Sequence, residues 1–285
     1  MSGYNHFINH HCNLKTESLM KSRLIINGAG GRMGKRILAL ACEETDFSIV
    51  GAVEYPKHAD LGKDAGIVAG LASLNLPLGS SLPEEAEVLI DFSLPEAADG
   101  IIKHCQHHGI ALVMGTTGLS AAQKQRLAEA GETIAIVQAT NMSLGMNLLF
   151  ALVGKIARSL GQEYDIEIVE AHHRFKKDAP SGSALSLAEA ICRETGRAYP
   201  EDLTHGRSGK EALRKQGEIG MHAVRAGDIV GQHTVFYSTL GESITLGHTA
   251  HNRDTFARGA LRAAQWVCRQ KPGLYSMQDV LGLAL

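Results

Sequence analysis

The chain lacks the features that would commit it to a membrane, a nucleic acid or an oxidising compartment. No apolar run approaches the roughly 20 residues that a spanning helix needs. Charge of one sign is not in excess: 28 basic against 30 acidic side chains leave a net charge of −2, so no basic surface recommends a polyanion or anionic lipid. The five cysteines, Cys12, Cys42, Cys105, Cys192 and Cys268, are odd in number and form no C-x-x-C pair. The last four fall in segments of helical pattern, and a reduced cytoplasmic protein is the simplest account. Residues 1–20 are rich in His and Asn and lack an apolar signal core, so a disordered extension is expected, with Met20 an alternative start. His6, His10, His11 and Cys12 then read as a solvated tail rather than a metal site.

Aromatic residues are also few, at 5%, whereas glycines number 31, which suits an α/β protein with many strand-to-helix turns. With 285 residues, 44% of them hydrophobic, the chain can bury the cores of one large or two ordinary domains. From Arg23 onward, short β-rich runs at 23–27, 48–53, 87–91, 110–114 and 133–137 alternate with helical stretches at 33–43, 95–108 and 120–130. That alternation predicts a parallel sheet with crossover helices, and Ser120 is a plausible N-cap. The stretch 55–83 is rich in Gly, Ser and Pro and promises no long regular element.

The pattern changes after Asn141. A long apolar helix at 143–160 and a half-buried strand at 164–170 precede strands near 217–226, 231–237 and 242–248 that lack intervening helices. These should be antiparallel or mixed, with helices at 184–195 and 255–269 bracketing them. The expected organisation is a dinucleotide-binding domain of residues 21–142 and 254–285, and a substrate-binding and oligomerisation domain of residues 143–253.

The turn Gly28-Ala-Gly-Gly-Arg-Met-Gly34 lies between the first strand and helix. Met33 stands where strict G-x-G-x-x-G spacing would put its third glycine, but Gly28, Gly31 and Gly34 give the related G-x-x-G-x-x-G. Such glycines let the backbone approach a pyrophosphate while the helix N-terminus offers N–H groups. Glu54 ends the second strand twenty positions after Gly34, where a ribose hydroxyl would be held. The acid favours NADH, and Tyr55 adds no charge for a 2′-phosphate, though Lys57 and His58 lie close and NADPH stays open. Gly115-Thr-Thr-Gly118 and Ala139-Thr-Asn-Met142 follow the fourth and fifth strands, at the sheet edge where such folds bind ligands.

A second site runs from Glu170 through His172, His173, Arg174, Phe175, Lys176, Lys177 and Asp178 to Pro180-Ser-Gly-Ser183. Two imidazoles, an arginine and two lysines cluster there in a slightly acidic chain. Pro180-Ser-Gly-Ser183 opens a helix whose N–H groups would accept a carboxylate. A small dicarboxylate with proton donors beside it is the ligand this pattern fits.

Together, Gly28-Ala-Gly-Gly-Arg-Met-Gly34, Asp91-Phe-Ser, Gly115-Thr-Thr-Gly118, Glu170-Ala-His-His-Arg, Lys176, Asp178-Ala-Pro-Ser-Gly182, Arg225-Ala-Gly-Asp-Ile-Val-Gly231 and the block 252–260 resemble the signature blocks of the 4-hydroxy-tetrahydrodipicolinate (dihydrodipicolinate) reductases. The resemblance implies a Rossmann-like domain, a mixed-sheet α+β domain and a homotetramer joined through the second sheets. It implies NAD(P)H-dependent reduction with loss of water, in diaminopimelate and lysine biosynthesis. By that likeness His172 and Lys176 are catalytic, while His173, Gly182 and Ser183 hold the substrate and Thr117 reaches it from the cofactor side. Gly28, Ala29, Gly30, Gly31, Arg32, Met33, Glu54, Gly115, Thr116, Thr117, Ala139, Thr140, Asn141 and Met142 match the cofactor contacts.

Four departures stand out: Phe175 for a frequent His, Ser183 for Thr, Met142 for Phe and Tyr55 for a basic residue. His104 and His108 share a helix face but find no third ligand in the pattern, and read as a solvated helix end. No metal is expected. His205, His222, His233, His248 and His251 read as structural unless the fold brings them to the pocket. Two rivals remain: a dehydrogenase of similar build for another imine or amino acid, and a non-catalytic NAD-binding protein.

Overall fold

The computed structural model of the chain describes residues 21–283. The expected N-terminal extension, with its His and Cys residues, lies outside them. The first unit runs β1 (Ser22–Asn27), α1 (Arg32–Glu43), β2 (Phe47–Val53), α2 (Ala65–Val68), β3 (Leu78–Gly79), β4 (Val88–Asp91), α3 (Ala98–His108), β5 (Ala111–Met114), α4 (Ala121–Ala130) and β6 (Ala135–Gln138). The second holds α5 (Leu144–Leu160), β7 (Asp165–His172), α6 (Gly182–Thr195), β8 (Leu203–His205), β9 (Ile219–Arg225), β10 (Gly231–Thr239) and β11 (Glu242–Ala250). The chain then returns to the first unit through α7 (Asp254–Val267), β12 (Gly273–Tyr275) and α8 (Met277–Val280).

In the first unit seven parallel strands are ordered β12-β6-β5-β4-β1-β2-β3. Their central members are unbroken apolar runs because helices cover both faces, and Val88, Leu89 and Ile90 of β4 are fully buried. One face packs under α1 and α7 through Ile37, Leu40, Leu261 and Val267. The other packs under α3 and α4 through Ile101, Ile102 and Leu127. Arg36 of α1 clasps Asp254 of α7 with two bonds of 2.6 and 2.9 Å. The last long helix therefore belongs structurally to the first sheet. Ser120 caps α4 in a full capping box with Gln123.

The second sheet is mixed, ordered β11-β10-β7-β9-β8, with β7, β9 and β8 parallel and β10 antiparallel to both its neighbours. Along β7 the alternation places Ile166, Ile168, Glu170 and His172 on the face covered by α5 and α6, where Ile166 and Ile168 join a core with Met146, Val153, Leu187 and Ile191. The same period carries β7 through His172, two residues beyond the expected strand end at 170, so His172 sits on the sheet and not in the loop. Short elements escaped the sequence pattern: α2 and β3 within 55–83, then β8, β12 and α8. Among the described residues no helix is long and apolar enough to cross a membrane. Cys42, Cys105, Cys192 and Cys268 are free thiols, and burial pushes the Cys105 thiol up to about 12.

Candidate active site

The connections from β1 and β4 leave in opposite directions, opening a crevice at their carboxyl ends. The Gly28 turn lies across it. Gly28 adopts φ 77°, and a Cβ there would fall 2.5 Å from the Phe92 carbonyl oxygen; at Gly34 a Cβ would strike the Gly28 carbonyl itself. No side chain caps α1 at Gly31, so first-turn N–H groups remain for an anion. Glu54 accepts from the Gly30 N–H at 3.0 Å and the Tyr55 N–H at 3.2 Å, which fixes its carboxylate beside the turn.

A cavity lies on each side of that turn. The larger, of about 800 Å³, is bounded by Gly28, Gly31, Glu54, Tyr55, Ile101 and His104. The smaller, of about 450 Å³, is bounded by Arg32, Met33, the 115–117 loop and the 139–142 loop. Two cavities astride a glycine turn, with free N–H groups between them and a carboxylate in the larger, fit the two halves of a dinucleotide. Most of the sequence-predicted cofactor residues therefore meet in one crevice. Ala29 is an exception: it is 2% exposed and its N–H is given to the Val53 carbonyl at 3.0 Å, so it builds the turn and not the wall. The Thr116 hydroxyl is likewise committed, donating to Asp91 at 2.5 Å, while Thr117 is exposed. His104 is not a solvated helix end: it lies 2.9 Å from the Pro83 carbonyl and lines the larger cavity. Among the described residues, no group of three or more His, Cys, Asp or Glu stands where it would hold a metal.

Beneath the crevice lies Asp91, fully buried at the end of β4. It accepts from Asn27 at 2.7 Å as well as from Thr116. Burial raises its pKa, and these neutral donors offset the rise only in part.

The second half of the site is built on β7 and the start of α6. His172 is 9% exposed, and its Nδ1 lies 2.7 Å from Glu170. Burial lowers the His172 pKa, the Glu170 carboxylate works against that fall, and the Lys176 and Arg225 cations add to it. Glu170 is itself held below its ordinary value: burial would raise it, but Arg225, His172 and the Ser181 N–H more than compensate. Lys176 pairs with Asp178 at 2.9 Å. Ser181 caps α6, accepting from the Ala184 N–H at 3.2 Å, and its hydroxyl also meets His233 Nε2 at 3.0 Å. Gly182 is exposed and Ser183 half-buried at this helix start. His173 keeps a buried Nδ1 with no partner among the described residues. Phe175 is 79% exposed, and nothing in the structure assigns it a role.

The halves meet. Asn141, on the loop after β6, donates from Nδ2 to the Ser183 hydroxyl at 3.0 Å. That bond brings the wall of the smaller cavity against the proposed carboxylate nest. His248 touches Ser143, the cap of α5, at 3.0 Å. His233 leaves the structural group: its ring stands edge-on to His172 at 5.2 Å, and burial lowers its pKa to about 4. Glu170 and Ser181 lie within the sequence-predicted run and Arg225 opens a signature block, yet the sequence assigns none of them a role of its own. His233 reads from sequence as structural unless the fold brings it to the pocket. One signal was available, since the period of two in β7 puts a carboxylate at an inward position between Ile168 and His172.

The chain matches two family models, described as dihydrodipicolinate reductase N-terminus over residues 22–142 and dihydrodipicolinate reductase C-terminus over residues 145–281. It is 48% identical over 267 residues to a 4-hydroxy-tetrahydrodipicolinate reductase of Alkalilimnicola ehrlichii, covering 93% of this chain and 100% of that one. A reductase of the same name from Rhodopirellula baltica is 46% identical over 271 residues, covering 92% and 96%. In fold it is similar to a dipicolinate-bound dihydrodipicolinate reductase from Paenisporosarcina sp. TG-14, with a TM-score of 0.71 at 22% identity, covering 91% and 99%. With a parallel-sheet unit, a mixed-sheet unit and their crevices in place, the chain belongs to the dihydrodipicolinate reductase family.

Proposed function

We infer that the chain reduces 4-hydroxy-tetrahydrodipicolinate to tetrahydrodipicolinate, releasing water, within diaminopimelate and lysine biosynthesis. The observation that carries this reading is the Asn141–Ser183 bond of 3.0 Å, which sets the nicotinamide-side cavity against the cationic run at the start of α6. A bound nicotinamide dinucleotide supplies the hydride. His173, Gly182 and Ser183 hold the substrate's carboxylate, and Thr117, exposed at the crevice, reaches it from the other side. His172 and Lys176 handle the protons: the net step consumes one hydride and one proton, and the ring hydroxyl leaves as water. Gly28 to Met33, Glu54, Gly115 to Thr117 and Ala139 to Met142 form the cofactor crevice, with Ala29 acting through the turn's backbone.

NADH is the preferred donor in this reading, because a carboxylate at Glu54 suits a free ribose hydroxyl and Tyr55 brings no cation. The working organisation pairs residues 21–142 with 254–285 and sets 143–253 apart, in keeping with the clasp of Arg36 on Asp254. Assembly as a homotetramer through the second sheet is supported by that sheet's arrangement: α5 and α6 cover one face, while the other carries Val169, Val224 and Phe236 with no covering helix among the described residues. A biosynthetic reductase with free thiols belongs in the cytoplasm, acting on a small dicarboxylate and not on nucleic acid or membrane. Steady-state turnover of 4-hydroxy-tetrahydrodipicolinate with each cofactor tests the reading. Substrate-dependent oxidation of NADH at least as efficient as that of NADPH is expected, and Glu54→Ala should weaken NADH about tenfold while barely changing NADPH. An absence of substrate-dependent oxidation with either cofactor would overturn it.

A further inference from the structure

Two features beside the catalytic run have no part in the function so far: Glu170, which opens it, and the segment Arg225 to Gly231, which faces it. We propose that Glu170, clamped by Arg225, is the positioning residue that fixes the tautomer of His172 and directs its Nε2 to the substrate. The inference rests on the reading of His172 as a proton-transfer group.

The geometry is that of a carboxylate with no freedom. Glu170 is 1% exposed. Arg225 grips it with two N–H groups, each at 2.8 Å, and the Ser181 N–H adds a bond of 3.0 Å. The remaining contact is His172 Nδ1 at 2.7 Å. An ionised carboxylate only accepts, so His172 must carry its proton on Nδ1 and donate it to Glu170. Nε2 is then the atom left for exchange. This arrangement has the logic of a carboxylate behind a catalytic imidazole, in which the acid orients the ring without itself being protonated.

Strand register builds the clamp. Glu170 and His172 lie two apart on the inner face of β7, and β9 runs parallel beside them with Arg225 opposite His172. The loop after β9 is sewn to the catalytic run by the Ala226 N–H to the His172 carbonyl at 3.0 Å and the Arg174 N–H to the Gly227 carbonyl at 3.1 Å. Arg225 also donates to the Asp178 carbonyl at 2.5 Å, so one guanidinium spans both ends of the run. At Gly231 a Cβ would fall 3.3 Å from His172 Nε2, and the absence of one leaves the ring its place.

The charges around the ring point the same way. From β7 comes Glu170, from β9 Arg225, and from the loop Lys176, itself held by Asp178. From β10 comes His233, edge-on at 5.2 Å and neutral above about pH 4. Among the described residues Glu170 is thus the one anion touching His172, and the charges that Lys176 and Arg225 bring are positive.

The test is imidazole nitrogen NMR on the full chain labelled at histidine, with and without NADH, together with kinetics. In the unaltered protein, neutral His172 should be the Nδ1–H tautomer. Glu170→Gln should move it towards Nε2–H and lower its titration midpoint. It should also cut kcat on the order of 100-fold, while the Kd for NADH stays within about twofold. Glu170→Asp, which restores the charge, should recover the Nδ1–H tautomer and part of kcat. Should the Gln variant not fold, Arg225→Lys keeps the cation but loses the fork, and should loosen the tautomer preference and lower kcat several-fold at unchanged KM. An unchanged tautomer and titration in the Gln or Lys variant overturns the proposal, as does an Asp variant no better than Gln. The NMR signals report on His172 whether or not the dipicolinate precursor is turned over. A failed reduction with the expected tautomer shift therefore counts against the function, and a normal reduction without the shift counts against the clamp.

Discussion

Each half of the site stands on a buried carboxylate at the end of a strand, and the two are held in opposite ways. Asp91, under the cofactor crevice, accepts from the neutral donors Asn27 and Thr116, and burial wins: its pKa is raised. Glu170, under the catalytic run, meets burial too, but the Arg225 fork and the His172 ring pull it below its ordinary value. Burial alone therefore does not decide the state of an acid; the formal charge of its partners does. The difference matches the tasks. The first unit needs a rigid frame for loops that bind a ligand through backbone N–H groups, and a carboxylate that gathers hydroxyl and amide donors supplies one. The second needs a fixed negative charge beside a proton carrier.

The contrast is broken most forcefully by deleting each acid. Glu170→Ala strands the Arg225 guanidinium, which is 19% exposed, and should destabilise the fold by about 3 kcal/mol. Asp91→Ala leaves only neutral donors unmet and should cost about 1–2 kcal/mol. Denaturant unfolding checks the order, and a costlier Asp91→Ala would contradict it.

His233 sharpens the same comparison from the base side. Its pKa falls from 6.5 to about 4, so the native state binds fewer protons than the unfolded chain between those values. The stability it confers is present above pH 6.5 and is lost as pH falls towards 4, at most about 3 kcal/mol in all. His233→Asn should flatten that slope in a series of melts; an unaltered slope would assign it elsewhere.

The smallest effect lies in the isosteric pair. Glu170's depressed pKa gives stability that is present above 4.5 and lost as pH falls through the folded value. Asp91's raised pKa does the reverse, its folded state losing ground as pH climbs from 3.8 to the folded value. At neutral pH, Asp91→Asn should leave Tm unchanged or higher and Glu170→Gln should lower it. Shifts of the same sign would remove the distinction.

The parallel sheet and its crossover helices were legible because central strands are apolar on both faces and helices carry their own period. β3, β8 and β12, of two or three residues each, are too short to show any period. The stretch 55–83 looked irregular, yet Asp64 organises part of it, accepting from the N–H groups of Ile67, Leu74 and Leu76 and from the Ser73 hydroxyl, with its pKa lowered to about 2. Site residues that adjoin in sequence, at 28–34 and 170–183, declared themselves by type and spacing. Their pairings across the chain were not legible: Arg225 reaches Glu170 from 55 positions away, and Asn141 reaches Ser183 from 42. No local pattern encodes such a meeting: the pairing of β7 with β9 creates the first, and the approach of the loop after β6 to the start of α6 creates the second.

The claim that the run at His172 does the chemistry while the first unit holds the cofactor is tested most directly by His172→Gln and Lys176→Ala. Both are measured by turnover of 4-hydroxy-tetrahydrodipicolinate and by NADH titration. Each substitution should lower kcat 100-fold or more, on the scale of a lost acid–base group, with the Kd for NADH within about twofold of the unaltered protein. Full turnover in either variant, or loss of NADH binding in step with turnover, would contradict it.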